Sequence, residues 1–247
     1  MRRTYHLLVF TIATGAISAQ PFRFDLPSHG DWADRIIEGP NIWGTVPDQA
    51  PGATISIARL RHQPPRKAKQ AFLRGIKYSE AGADAEAAAE FAKAADLDPD
   101  FSEAHGNLGV EYTGLKRYDD AIPEFRRAIA LDPATSFHHS NLAYTLIRLD
   151  RPNEAEAEAQ TAVGLDGTNP AAQFLLGLLL ANRPETRALC ESHLVYAART
   201  IPEAHYVLAN VYSADGAAQS ARAELDRYRR ETAARQSTGR LGFAIQP

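Results

Sequence analysis

The sequence predicts an all-α repeat fold, and three observations support that class. The motif Leu-Asp-Pro occurs at 97–99 and again at 131–133, a step of 34 residues. From residue 68 the sequence is also rich in alanine, which favours helix. The same step brings five pairs of identical residues into register: Gly75 with Gly109, Tyr78 with Tyr112, Ala87 with Ala121, Phe91 with Phe125 and Ala94 with Ala128. We therefore expect about five helical repeats between residues 68 and 235.

The composition excludes several classes of protein. The chain has 247 residues, enough for one or two domains with a real core. Lys and Arg total 27 against 30 Asp and Glu, so the chain lacks the basic excess of a nucleic-acid-binding protein. Its one cysteine, Cys190, is too few for an internal disulfide or a Cys-rich zinc site. We therefore expect stability to come from packing.

Residues 1–19 have the pattern of a secretory signal peptide. Arg2 and Arg3 give a positive start, an uncharged and mostly apolar stretch follows, and Ala19 offers a small residue before a cut at Gln20. The alternative is a short membrane anchor, but the apolar stretch 7–19 is shorter than the roughly 20 residues needed to span a bilayer. We expect cleavage, a periplasmic or secreted mature protein, and no stable membrane insertion.

Residues 20–66 form a Pro/Gly-rich arm. Seven of the chain's 15 prolines and four glycines lie there, which prevents a long helix. The arm also carries both tryptophans, Trp32 and Trp43, which a purely solvated linker has little reason to carry. Residues 54–60 alternate in the manner of a short strand. Its partner is the rest of the arm, the first helices, or a second copy of the chain.

The 34-residue frame continues to residue 235, with drift in the later repeats. The fourth repeat has one extra residue around 182–186, and the fifth starts early at Pro202. The last helix, 218–235, becomes polar, as expected of a terminal capping helix. Pro123 is expected in a first helical turn, where its missing amide has no helical partner. The repeats are predicted at 68–101, 102–135, 136–169, 170–201 and 202–235, followed by a tail at 236–247.

The second repeat resembles the tetratricopeptide repeat (TPR). It has the family's small and aromatic positions and its closing proline, with His105 in place of the usual tryptophan: Leu108, Gly109, Tyr112, Ala121, Phe125, Ala128 and Pro133. The resemblance implies two antiparallel helices per repeat, stacked as a right-handed superhelical solenoid. Together with the predicted leader, it suggests an exported protein of bacterial type.

The resemblance also implies a concave groove lined by the first helix of each repeat. In this family, ligands contact the second, fifth, ninth and twelfth repeat positions. The resulting stripe is rich in aromatic residues and nearly uncharged. The alternative for any one of these residues is a core position between helices. The candidate peptide-binding residues are Phe72, Ile76, Val110, Phe137, Ser140, Tyr144, Phe174, Leu178, Tyr206 and Asn210.

Three histidines, His105, His139 and His205, occupy one repeat position. A shared metal is not expected, because neighbouring helices are about 10 Å apart and ligand nitrogens must lie about 2 Å from the ion. Cys190 occupies a small-residue position, which predicts a buried, inert thiol. The chain contains no metalloprotease, hydrolase, P-loop or dinucleotide-binding motif. We therefore expect no enzyme, no cofactor and no metal.

The sequence favours a non-catalytic scaffold that binds an apolar segment or helix of another protein in the groove. Chaperone-type recognition of a terminal carboxylate is rejected, because only Asn107 and Asn141 match that pattern. The alternative is a structural component of an envelope complex that self-associates through strand 54–60, giving a homo-oligomer. A catalytic groove would need convergent ionisable groups, and the stripe has only Lys69, Glu103 and Glu203, in different repeats.

Overall fold

The computed structural model describes residues 62–241, with side chains to residue 234, and two short strands near the N-terminus. Strand β1, Val9–Phe10, pairs antiparallel with β2, Ala19–Gln20, so that Val9 lies opposite Gln20. The predicted strand 54–60 and residues 242–247 of the tail lie outside the described residues.

The described chain from residue 62 is helical, which confirms the predicted all-α fold. Its helices are α1 Arg66–Glu80, α2 Asp84–Leu97, α3 Ser102–Gly114, α4 Tyr118–Leu131, α5 Ser136–Arg148, α6 Pro152–Leu165, α7 Pro170–Leu180, α8 Arg187–Ala197, α9 Glu203–Ala214 and α10 Ala218–Leu241. A short 3-10 helix, Pro184–Thr186, precedes α8 at the site of the predicted extra residue. None of the described helices is both long and apolar enough to cross a membrane.

The described residues form two compact bodies. The first body comprises residues 62–175 and the second comprises 176–241 with the two strands. In the first body, helices pair as hairpins α1–α2, α3–α4 and α5–α6. Between hairpins, α2 packs on α3 and α4 packs on α5. In the second body, α8 packs on α9, and α9 packs on α10.

Glycine and phenylalanine at the aligned repeat positions bring together the helices of the first two hairpins, α1–α2 and α3–α4. A Cβ atom at Gly75 would lie 2.6 Å from the Phe91 ring, and one at Gly109 would lie 2.7 Å from the Phe125 ring. Both phenylalanines are fully buried, and each contributes about 1.5–3 kcal/mol by leaving water. The aligned glycines are therefore needed for close approach of the rings.

The turn inside each hairpin places one residue in the left-handed backbone region. Gly82, Lys116 and Asp150 are spaced by the repeat step and have φ of 70°, 60° and 56°, and Gly216 has φ 74°. This region favours glycine because it has no Cβ atom. Two hairpins thus turn at a residue with a side chain and carry some backbone strain.

A buried serine at the start of a first helix links successive hairpins of the first body. Ser102 Oγ donates to the Ala128 carbonyl at 3.2 Å within its own hairpin, and His138 Nε2 of the next hairpin lies 3.2 Å from it. One repeat later, Ser136 Oγ donates to the Ala162 carbonyl at 2.9 Å. Ser136 in turn accepts a bond from Asn169 Nδ2 at 2.8 Å. Ser102 therefore links two neighbouring hairpins through a buried polar contact, and Ser136 links its hairpin to the residue that precedes α7.

The prediction for Pro123 was wrong. Helix α4 begins at Tyr118, so Pro123 lies in the second turn, where its missing amide would have bonded to the Asp119 carbonyl. Both residues are exposed, so water replaces the lost helical bond. The helix therefore continues through the proline to Leu131.

Candidate functional site

The predicted groove residues lie on the first helices of the hairpins but differ in exposure. Those that remain half-buried are Phe72, Ile76, Val110 and Phe137 in the first body and Tyr206 in the second. Those that are buried are Ser140, Tyr144 and Phe174 in the first body and Leu178 and Asn210 in the second. The stripe is therefore partly surface and partly core.

Phe72 and Ile76 pack into the junction between the first two hairpins. The Phe72 ring lies 5.4 Å from the Phe91 ring and 4.8 Å from the Phe101 ring, measured between centroids. Both residues pack against a buried cluster that includes Phe91 and Leu108. Their main contacts are thus within the protein.

The polar atoms of the α5 stripe are occupied by contacts within that helix. Ser140 Oγ donates to the Phe137 carbonyl at 3.1 Å, and Tyr144 OH accepts a bond from Arg148 at 2.9 Å. Ser140 has no exposed surface and Tyr144 only 5%. Val110 on α3 and Phe137 on α5 keep part of their side chains in solvent, and these two first helices contact each other.

The groove residues of α9 are the ones with unsatisfied polar atoms. Asn210 is 8% exposed, and its Nδ2 donor has no partner among the described residues. Glu203 Oε2 is buried and also lacks a partner there. Because they are seven residues apart, both project from one face of the helix. On that face the Tyr206 ring contacts the tilted ring of Tyr228, with 5.6 Å between centroids.

The three aligned histidines each join the two helices of one hairpin. Every one places Nδ1 against a glutamate 19 residues later: His105 with Glu124 at 2.7 Å, His139 with Glu158 at 2.7 Å and His205 with Glu224 at 2.6 Å. Since an ionised carboxylate only accepts, each histidine donates. Across the described residues, no group of three or more His, Cys, Asp or Glu side chains is placed to hold a metal ion.

Two ionisable side chains are strongly affected by burial. Burial raises the pKa of Glu111 to about 7, against a hydrogen bond from Ser79, and the charge of Asp84 adds to the rise. Burial also raises the pKa of the Cys190 thiol to about 11, and its Sγ lies 3.3 Å from the Gly177 carbonyl. A thiol that stays protonated is a poor nucleophile.

One cavity of the first body was not anticipated from the sequence. It has a volume of about 310 Å³ and lies where the first turn of α3 meets the end of α4 and the segment before α1. Its lining residues are His62, Pro64, Asp100, Phe101, Ser102, Glu103, Leu131 and Asp132. The second Leu-Asp-Pro motif contains Asp132, so the motif marked this residue as a repeat position without indicating a cavity.

A family model of the tetratricopeptide repeat matches residues 102–134. No curated protein sequence matches the chain significantly.

Several solved structures share the fold. PilW, a type IV pilus biogenesis factor, is 23% identical, with 68% of this chain and 79% of PilW covered and a TM-score of 0.60. YrrB, a TPR protein with an unusual peptide-binding site, is 22% identical over 65% of this chain and 84% of its own, with a TM-score of 0.53. TTC0263, a thermophilic TPR protein in Thermus thermophilus, is 19% identical over 65% and 89%, with a TM-score of 0.54. Residues 102–134 are therefore a tetratricopeptide repeat, and the described helix hairpins have the fold of tetratricopeptide-repeat proteins.

Proposed function

We propose that the protein is a non-catalytic scaffold that binds an apolar segment or helix of another protein. The observation that carries this proposal is the pair of half-buried apolar side chains, Val110 and Phe137, on the adjoining first helices α3 and α5. Apolar side chains on such a face lose their remaining contact with water when a partner covers them. The fold supports the proposal, since TPR proteins are typically interaction scaffolds and YrrB has a peptide-binding site.

The second body supports the same proposal through polar contacts. The free Asn210 Nδ2 donor and the free Glu203 Oε2 acceptor lie on one face of α9, with Tyr206 between them in sequence. A peptide backbone offers both a carbonyl acceptor and an amide donor. An extended segment would therefore satisfy two buried groups that otherwise cost folding free energy.

We further propose that residues 1–19 direct export to the periplasm or the exterior. The support is the sequence pattern of two arginines, an apolar stretch and a small residue at the cut. The test is the intact mass of the protein isolated from its own envelope or medium. Cleavage would leave Gln20 as the first residue, whereas a mass that includes Met1 and the leader would reject the proposal.

The binding proposal is tested with peptides selected from a displayed random library on the immobilised full chain. Fluorescence anisotropy then measures Kd for the parent, for Phe137→Ser and for a control, Leu97→Ser. Leu97 is 41% exposed at the end of a second helix and lies off the stripe. We expect Phe137→Ser to weaken binding by about tenfold or more and Leu97→Ser to leave Kd unchanged.

Two results would reject the scaffold proposal. One is the failure of any peptide to bind saturably, and the other is an equal loss in both variants while circular dichroism shows both folded. Light scattering of the full chain addresses the self-association alternative. A dimer that dissociates when residues 54–60 are deleted would favour that alternative.

A further inference from the structure

The cavity at the start of α3 is lined by more negative than positive groups. Asp100, Glu103 and Asp132 contribute carboxyl groups, and His62 is the basic residue in the lining. No lysine or arginine lines the cavity among the described residues. At about 310 Å³, it is at the small end of ligand sites and suits one side chain better than a whole ligand.

Asp132 is the residue in this lining whose charge is least satisfied. Its side chain is almost fully buried, with 3% exposed. Its Oδ2 accepts a hydrogen bond from Thr135 Oγ1 at 2.7 Å. Its Oδ1 is buried and has no partner among the described residues. A buried carboxylate oxygen without a donor is unfavourable, so this atom points to a missing donor.

In the equivalent aspartates of the neighbouring repeats, the Oδ1 atom does have a hydrogen-bond donor. Asp98 Oδ1 accepts from the Asp100 backbone amide at 3.3 Å, and its Oδ2 lies 2.8 Å from His62 Nε2. Asp166 Oδ1 accepts from the Thr168 amide at 2.8 Å. In the repeats before and after Asp132, a nearby backbone amide thus bonds to the aspartate at this position. The missing donor is specific to the repeat that faces the cavity.

The basic groups beside the cavity are already engaged. Arg127 Nη2 bonds to Asp100 Oδ1 at 2.9 Å and to the Pro99 carbonyl at 3.0 Å. His62 is held by Asp98. Neither of these contacts supplies a donor to Asp132, so its Oδ1 atom still lacks one.

We propose that this cavity binds a cationic side chain, an arginine guanidinium or a lysine ammonium, from the protein segment that the scaffold recognises. The inference rests on the proposed function and adds a chemical class to the partner. A guanidinium donates in a planar fork that matches a carboxylate, and the Asp132 oxygen is its natural acceptor. Pro64, Phe101 and Leu131 supply the apolar wall that the methylene stem of such a side chain requires.

The test uses small compounds, so that it does not depend on finding the partner. The full chain, labelled with ¹⁵N, is titrated with N-acetylarginine methylamide, with the lysine analogue, and with the citrulline analogue, which is uncharged but nearly the same shape. We expect saturable shifts of the Ser102, Glu103 and Asp132 amides with one or both cations and none with citrulline. Asp132→Asn should weaken that binding by about tenfold or more.

Asp166→Asn is the matched control, because it changes the same repeat position outside the cavity. It should leave the titration unchanged. Equal shifts from the citrulline compound, equal weakening by the two variants, or no saturable shift with either cation would overturn the proposal. Binding that emerges only after Arg59 and Arg61 are replaced by alanine would also overturn it, since the chain's own arm would then be the occupant.

The outcome also separates this proposal from the scaffold proposal. If the cations bind but no peptide is selected, the cavity proposal stands and the scaffold proposal is rejected. Selected peptides that bind in the groove, together with no saturable shift from either cation, keep the scaffold and reject the cavity.

Discussion

Replacing Glu111 with glutamine should make the protein more stable at alkaline pH. Glu111 is 5% exposed on α3, and burial raises its pKa from 4.5 to about 7. Below pH 4.5 both the folded and the unfolded chain hold the proton. Between these two pKa values the unfolded chain releases it and the folded chain does not, so the stability of the wild type falls as pH rises. Above the folded pKa the loss is complete.

The size of the effect follows from the two pKa values. A rise from 4.5 to about 7 corresponds to about 3 kcal/mol of lost stability at high pH, and about 2.5 kcal/mol of this falls between roughly pH 5 and pH 8. Glutamine keeps the shape of the side chain but cannot ionise. The stability of Glu111→Gln relative to wild type should therefore rise by about 2.5 kcal/mol across that range.

Urea unfolding followed by circular dichroism at about pH 5 and pH 8 measures this difference directly. Using the difference between variant and wild type cancels the titration of all other groups. Glu86→Gln is the control, because Glu86 is an exposed glutamate of the neighbouring hairpin. If the relative stability of Glu111→Gln is the same at both pH values, then the carboxyl group is solvated in the folded protein and the reasoning fails.

Three further substitutions test the packing. Ala121→Leu should lower the free energy of unfolding by about 1–3 kcal/mol, because Ala121 has no exposed surface between helices. Gly106→Ala should cost about 1–3 kcal/mol, because the new Cβ would lie 2.5 Å from the buried ring of His138. A double-mutant cycle on His139 and Glu158 should give a coupling of about 1–2 kcal/mol, since their 2.7 Å bond joins two helices. Urea unfolding at neutral pH measures all three.

Each of these has a result that would contradict it. Gly164→Ala is the control for Gly106, because nothing lies within 4 Å of its would-be Cβ, and it should be neutral or stabilising. Equal effects at the two glycines would disprove the predicted clash. An unchanged stability of Ala121→Leu would place that residue on the surface and undo the repeat register. Additive single mutants at His139 and Glu158 would mean that their bond contributes nothing.

The fold was predictable because repeat packing leaves a periodic record in the sequence. A helix can lie against the Phe91 or Phe125 ring only where its own residue is glycine, so Gly75 and Gly109 recur with the same step as the rings. The common position of the histidines was predictable for the same reason. Their glutamate partners, such as Glu158 for His139, were not identified, because a glutamate on an Ala-rich helix looks like any solvated charge.

The candidate site was less predictable, because a repeat frame identifies equivalent positions and not their neighbours. Phe72 occupies a groove position, yet it packs against Phe91 and Phe101 in the first hairpin junction. Glu111 shares its repeat position with Lys77 and Thr145, so no pattern marked it as a buried acid. The missing donor at Asp132 depends on the absence of a local amide bond that Asp98 and Asp166 both have. Such differences depend on individual contacts, and the repeat period of the sequence carries no information about them.

The shared serine contacts have a mechanical consequence. Ser102 bonds within its own hairpin, α3–α4, and also lies within bonding distance of His138 in the next hairpin, so unfolding α5–α6 breaks a contact that belongs to α3–α4. When the chain is pulled from its ends, the first body should resist peeling one repeat at a time. The hairpins α3–α4 and α5–α6 should instead rupture together, with an extension of roughly two repeat lengths of stretched chain, about 230 Å. The Ser102 hydroxyl group thus couples the mechanical unfolding of two hairpins, which respond to force as one unit.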